Sequence, residues 1–354
     1  MKERNIALIE WAREKISESI RAGSALRLSA ELTANPISGD AGFRRYYRLN
    51  TEPSLLAVDA PVETENTGAF IRVAKCLRQN GVHTPEIFHS DEVQGFLLIE
   101  DLGDNLYHSA LPEAGPELLY GEAMMTLLRM QQVDKNTDCK LPIYDGHRLQ
   151  GEMALFSRWF VEELLAYELN EQERSMLEDM FARLTASALE QTQVWVHRDF
   201  HSRNLIVTEG CAPGVIDFQD AVWGPVTYDL VSLFKDCYIR WPREQVRHWA
   251  GSYGDMAVDA GLMPPVDKQQ FMTWFDWMGM QRHIKVLGIF TRLSLRDNKA
   301  AYLRDIPLVI RYVLEVSQDY DALRPFGEWF KSSLIPRLEQ FDWYSDYASA
   351  GDRE

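Results

Sequence analysis

Residues Val194–Asp229 read VWVHRDFHSRNLIVTEGCAPGVIDFQDAVWGPVTYD, and the fold turns on how the middle of this stretch is understood. Leu205-Ile-Val-Thr208 and Val215-Ile-Asp-Phe218 are short apolar, β-branched runs separated by Glu-Gly-Cys-Ala-Pro-Gly, the pattern of a hairpin and its turn. In an antiparallel pair the start of one strand lies beside the end of the other. Asn204 and Asp217 are thereby brought together, an amide oxygen beside a carboxylate. Hard oxygen donors with room for water suit magnesium, which takes one or two protein groups and completes its shell with phosphate oxygens. Asp199, on the loop just before, is free to accept a hydrogen bond from an attacking hydroxyl. Taken singly, an Asp or Asn before a strand is an ordinary turn residue. Asp217 inside an apolar run is harder to dismiss, because an unpartnered buried carboxylate is costly.

His197-Arg198-Asp199, with Asn204 five residues after the aspartate and Asp217-Phe218 thirteen residues after that, follows the kinase order of a catalytic loop and then a metal-binding D-F-G. Gln219 stands where the glycine of that triplet would be, which implies a stiff metal loop without a protein-kinase-type activation switch.

Outward from this stretch, the chain of 354 residues is long enough for two lobes, with 46% apolar and 25% charged residues. A net charge of −16 argues against nucleic acid or an anionic membrane as the main partner. Cys76, Cys139, Cys211 and Cys237 have no C-x-x-C or zinc spacing, which points to a reducing, cytoplasmic setting. The N-terminal MKERNIALIEWAREKI carries charges throughout, unlike a signal peptide, and no run approaches a membrane span.

Residues 4–21 show a helical stripe at Ile6, Ile9, Ala12, Ile16 and Ile20. Gly39 and Gly42 then flank a tight connection between two short strands, where backbone N–H groups can approach phosphate oxygens; by themselves two such glycines mark only a turn. Further strands are expected at 54–58, 85–89 and 95–100, with a helix from about Thr67 to Asn80 stopped by Gly81. Beyond Asn105 the pattern is helical over 117–133, 153–167, 171–191, 230–239, 242–251, 268–287 and 302–316. The expected class is α+β: residues 1–103 form a small antiparallel β-sheet lobe with one helix besides the N-terminal one, and 104–354 a larger, mainly helical lobe. Arg282 and Lys285 share one face of an otherwise apolar helix, a substrate-facing pair or a solvated face with equal warrant.

With these elements in place, the chain resembles the aminoglycoside phosphotransferase family, the small-molecule branch of the two-lobed protein-kinase-like fold, over residues 30–310. Within it, the strings SGDAGFRRYYRL, AVDAPVE, GFLLIEDLGD, VHRDFHSRNL, GVIDFQDAVWGPVTYDLVSL and QRHIKVLGIF are similar to bacterial anomeric sugar kinases. Those enzymes phosphorylate N-acetylmuramate and N-acetylglucosamine at C1 in cell-wall recycling. The resemblance implies ATP and Mg²⁺, Asp199 as catalytic base and Asn204 and Asp217 as metal ligands. It places Gly39 and Gly42 over the nucleotide phosphates, and Glu100 and Leu102 at the hinge whose backbone meets adenine. His197 and Asp229 take the part of supports behind the catalytic loop, although Asp229 also reads as a helix N-cap. One part is missing. The strand that carries the phosphate-binding lysine in kinases reads Leu55-Leu-Ala-Val-Asp59-Ala, and Arg44 and Arg45 are the nearest cations that could replace it. Arg203, Arg240, Arg282 and His283, in or near the motif segments, are candidate contacts for a substrate, with a muramate carboxylate in view. A kinase for an aminoglycoside, choline or homoserine remains an alternative, as does a nucleotide-binding pseudokinase, which the missing lysine favours and the intact Asp199, Asn204 and Asp217 oppose.

Overall fold

The computed structural model describes residues 2–28, 30–37, 42–137, 139–210 and 212–352. The chain divides into two compact units that are not consecutive blocks of sequence. Met1–Ala110, Thr137–Cys139 and Asn204–Gln219 form the first; Leu111–Asn136, Lys140–Arg203 and Asp220–Glu354 form the second.

In the first unit, helix α1 (Lys2–Arg21) precedes an antiparallel sheet of β1 (Ala34–Ile37), β2 (Arg45–Leu49), β3 (Leu55–Asp59), β4 (Ile87–Asp91) and β5 (Phe96–Glu100), in the order β1-β2-β3-β5-β4. Side chains alternate between the two faces of a strand. Leu55 and Ala57 of β3 and Phe96 and Leu98 of β5 point to α1, where they pack with Leu8, Trp11, Ala12 and Ile16. Each leucine, isoleucine or phenylalanine side chain so removed from water contributes about 1.5–3 kcal/mol. Helix α2 (Thr67–Gln79) begins where the Asn66 side chain accepts the Ala69 N–H at 2.9 Å, and ends before Gly81 at φ 75°.

The hairpin of Leu205–Ile206 and Gly214–Val215 belongs to this first unit because its outer backbone groups are satisfied there. Val215 N–H donates to the His83 carbonyl at 2.7 Å and Val207 N–H to the Asn105 carbonyl at 2.8 Å. The unit is thus completed by chain that arrives a hundred residues later, and one cut between 103 and 104 does not describe it.

The second unit is built on the 30-residue helix Lys268–Asp297, buried from Phe271 to Thr291 on most sides. The helix expected over 153–167 is instead α-helical over Gly146–Leu155 and π-helical over Phe156–Leu164. A close approach accompanies the change: a Cβ on Gly288 would lie 2.4 Å from the Leu155 carbonyl carbon and 2.6 Å from Phe156 N. Glu171–Glu190 starts on a capping box made by Asn170 and Glu173. The strand pair Gln193–Val196 with Val222–Pro225, not anticipated from sequence, brackets the catalytic stretch. The helix expected over 230–239 is the shorter Tyr228–Phe234, and the one over 302–316 is a 3₁₀ turn, Ala300–Asp305, followed by Ile306–Asp319 with Pro307 in its first turn. Among the described residues, no helix is long and apolar enough to cross a membrane.

Candidate active site

The catalytic stretch leaves the strand Gln193–Val196 and enters a loop clamped from behind. Asp229, fully buried inside helix Tyr228–Phe234 rather than capping it, accepts the His197 N–H at 2.6 Å and the Arg198 N–H at 2.9 Å. These two bonds hold Arg198 at φ 82°, a left-handed conformation that a residue with a side chain adopts only under such constraint. Burial pushes the Asp229 carboxyl up to about 7, against the two N–H groups, which favour its charged form. The His197 ring is buried, and its Nδ1 accepts the Asp199 N–H at 3.3 Å. Ser202 N–H donates to Asp236 at 3.1 Å and its hydroxyl donates to the same carboxylate, fixing the far end of the loop.

Asp199 is 48% exposed and lies among cations. Arg282, itself 4% exposed, places Nη2 at 3.7 Å from Asp199 Oδ1. Burial, partial here, raises the Asp199 pKa, but Lys285, His201, Arg282 and Arg198 together outweigh it and bring the carboxyl down to about 2. Two of these cations, Arg198 and Lys285, are ordered by a residue that sequence reasoning missed. Glu152 accepts from the Arg198 guanidinium and the Tyr144 hydroxyl, with Lys285 Nζ at 3.2 Å. Lys285 also donates to the Tyr228 hydroxyl at 2.9 Å, and Arg282 Nε to Ser232 Oγ at 2.6 Å. Arg198, Lys285 and Arg282 thus lie beside Asp199 and Glu152, with Asp229 and Asp236 acting on the same cluster. Glu152 carries no motif; a glutamate on a half-buried helix gives no sign of its partners 46 and 133 residues away.

The other substrate candidates do not gather here. Arg203 lies over the Tyr238 ring at 3.5 Å. Arg240 pairs with Glu315 at 2.8 Å and sits 3.7 Å from Asp352. His283 is fully buried, stacked on Tyr312, with Nε2 3.0 Å from the Lys235 carbonyl; burial holds its pKa down to about 3, so the ring is neutral. Packing accounts for Arg240 and His283, and neither enters the roles proposed below.

In the first unit the hairpin sets Asn204 beside the end of the returning strand: Ile216 N–H donates to the Asn204 carbonyl at 3.1 Å. Asp217 follows at φ 63°, and its Oδ1 accepts from Gln219 Nε2 at 2.7 Å. Phe218 is fully buried, its ring 4.9 Å from Phe70 of α2, which anchors the turn. An amide and a carboxylate on adjacent strand ends fit a magnesium ion, whose remaining positions go to phosphate and water. Among the described residues no group of three or more His, Cys, Asp or Glu side chains is placed to hold a metal ion.

Gly42 is exposed; Gly39 lies outside the described residues. Phe43 N–H donates to Glu65 Oε1 at 3.1 Å, and Arg44 meets Glu65 Oε2 at 2.7 Å. Arg45 is 43% exposed and 3.6 Å from Asp59. Glu100 pairs in register with Leu55, and its side chain accepts the Glu86 N–H at 3.0 Å. A Cβ on Gly214 would lie 2.8 Å from Leu102 Cδ1, so the glycine leaves room for Leu102 against the hairpin.

An ionised carboxylate on a clamped loop is equipped to accept a proton from a hydroxyl. The phosphotransferase enzyme family model matches residues 33–264. The chain belongs to this family. It is 40% identical over 298 residues to the N-acetylmuramate/N-acetylglucosamine kinase of Pseudomonas aeruginosa, covering 84% of this chain and 87% of that one. The kinase of the same name from Pseudomonas putida is 38% identical, with 91% and 94% covered, and that from Neisseria meningitidis 38%, with 81% and 86% covered. Among solved structures, the GDP complex of aminoglycoside 2'-phosphotransferase-IIIa superposes with a TM-score of 0.55 at 13% identity, over 88% of this chain and 99% of that one. Choline kinase from Cryptosporidium parvum gives 0.55 at 12% identity, over 91% and 100%. At such identities the likeness is one of fold, the kinase-like α+β fold.

Proposed function

We propose that this phosphotransferase is an ATP-dependent kinase that phosphorylates the anomeric hydroxyl of N-acetylmuramate, N-acetylglucosamine or both, giving the sugar 1-phosphate in the cytoplasm for cell-wall recycling. The observation that carries the chemistry is Asp199, held ionised by Lys285, Arg282 and Arg198 on a loop that Asp229 clamps. Its carboxylate accepts a hydrogen bond from the attacking hydroxyl and takes the proton as the new O–P bond forms and the bond from the γ-phosphorus to the departing ADP oxygen breaks. An anomeric hydroxyl is more acidic than an ordinary alcohol, so a strongly depressed base suffices. Asn204 and Asp217 would hold magnesium, which supplies charge neutralisation for the phosphates. Glu100 and Leu102 offer backbone groups to adenine, and Gly42 offers its N–H to the phosphates. Beside Asp199, Arg282 and Lys285 are the cations that a muramate carboxylate would meet.

The names of the relatives support the amino sugar over an aminoglycoside or choline, since they share 38–40% identity along most of the chain. The test is phosphorus NMR of the product formed from ATP and the free sugar. A 1-phosphate is expected, and the 1-O-methyl glycoside should yield nothing because the reacting oxygen is capped. A 6-phosphate, or turnover of the glycoside, overturns the anomeric assignment. Turnover of kanamycin or choline without any sugar activity overturns the substrate class.

A further inference from the structure

The strand that lacks a lysine leaves open which group meets the nucleotide's inner phosphates, and the sheet's two faces decide between the candidates. Arg45 pairs in register with Asp59, and Arg4 from α1 donates to the same carboxylate at 2.7 Å. Arg45 therefore lies on the α1 face and is committed to a surface ion pair. Successive side chains alternate, so Arg44 points to the opposite face with Tyr46. There the Arg44 guanidinium stacks over Phe70 at 5.3 Å, and Phe70 in turn packs on Phe218, the neighbour of Asp217. Glu65, at the entrance to α2, grips one end of the guanidinium at 2.7 Å while its other oxygen accepts the Phe43 N–H. The side chain is 8% exposed, and its buried Nε has no hydrogen-bond partner among the described residues. An oriented, nearly buried guanidinium with an unmet donor is arranged to receive an anion. Tyr46 reports the same neighbourhood: burial raises its pKa, Arg44 lowers it and Asp217 raises it.

We propose that Arg44, oriented by Glu65 and Phe70, supplies the cation for the nucleotide's α- and β-phosphates in place of the absent strand lysine. This rests on the kinase reading above. The arrangement moves the charge from β3 to the residue leading into β2, and the acid at the head of α2 orients it. Val58 and Leu56, the β3 residues on that face, are apolar.

Calorimetric binding of adenosine and of ADP, with and without magnesium, tests it on Arg44→Met, which keeps the stem over Phe70 and removes the charge. ADP affinity should fall by about tenfold or more, the scale of one charge-assisted hydrogen bond, while adenosine affinity stays. Arg44→Lys should recover part of the loss, and Glu65→Gln should weaken ADP less than Arg44→Met does. An ADP affinity in Arg44→Met equal to wild type overturns the proposal and leaves the kinase reading standing. Equal losses for adenosine and ADP also overturn it, since the arginine would then act through packing. Wild-type protein that binds neither ligand overturns both. Should Arg44→Met fail to fold, Arg44→Lys and Glu65→Gln carry the comparison: unchanged ADP affinity in both counts against the role.

Discussion

Replacing Glu152 with Gln removes one charge from the cluster behind Asp199 while keeping its volume. The carboxylate receives the Arg198 guanidinium, the Lys285 ammonium and the Tyr144 hydroxyl, and despite burial its pKa is lowered by Lys285 and Arg198. The amide would leave two cations facing each other and turn a donor towards them. Breaking a fully buried pair costs about 3–5 kcal/mol. Here Glu152, Arg198 and Lys285 are 18%, 21% and 8% exposed, so solvent relieves part of that, and a loss of roughly 2–3 kcal/mol is expected. For a unit of this size it corresponds to a melting point about 4–6 °C lower. The sign of the pH dependence follows from the depressed carboxyl. Its contribution is complete above the unfolded value near about 4.3 and disappears as pH falls through the lower folded value, so the gap between wild type and variant closes in acid. Adding Lys285→Met removes one of the two cations left over, and the double variant should regain part of the loss. A melting point unchanged by Glu152→Gln, or strictly additive effects of the two substitutions, would refute the idea that Glu152 balances this cluster.

Two further outcomes concern the chemistry. Asp217→Ala should remove metal-dependent turnover more completely than Asn204→Ala, because Asp217 brings the charge to a magnesium site; wild-type rates in Asp217→Ala at ordinary magnesium concentrations contradict the assignment. With the Asp199 carboxyl brought down to about 2, kcat/KM should show no acid limb from this base in the range of an ordinary carboxylate. Asp199→Asn should be nearly inactive while still binding nucleotide, and an acid limb near about pH 6 that moves in Asp199→Glu would count against the depressed base.

What was legible in the sequence is what depends on neighbours in sequence. The spacing of His197, Asp199, Asn204 and Asp217 and the turn between two apolar runs foretold a hairpin that sets Asn204 beside Asp217, and the hydrogen bond from Ile216 to Asn204 realises it. Helical periodicity located α1, α2 and Glu171–Glu190 closely, because caps such as Asn66 and the Asn170–Glu173 box are local signals. Where the local pattern was ambiguous it misled: nothing in 153–167 announces a π-helix, which accompanies the close approach of Gly288 to the Leu155–Phe156 backbone.

Tertiary structure alone decided the partners of the charges. A charged side chain is compatible with many neighbours until packing selects one and removes the water that would otherwise satisfy it. Hence Glu152, unremarkable in sequence, orders Arg198 and Lys285, while His283, a plausible contact by its place beside Arg282, is neutral and buried against Tyr312. The two adjacent arginines are the clearest case. Arg44 and Arg45 are indistinguishable as letters, and the pleat of one strand sends Arg45 to Asp59 on the α1 face and Arg44 to Glu65 and Phe70 on the other.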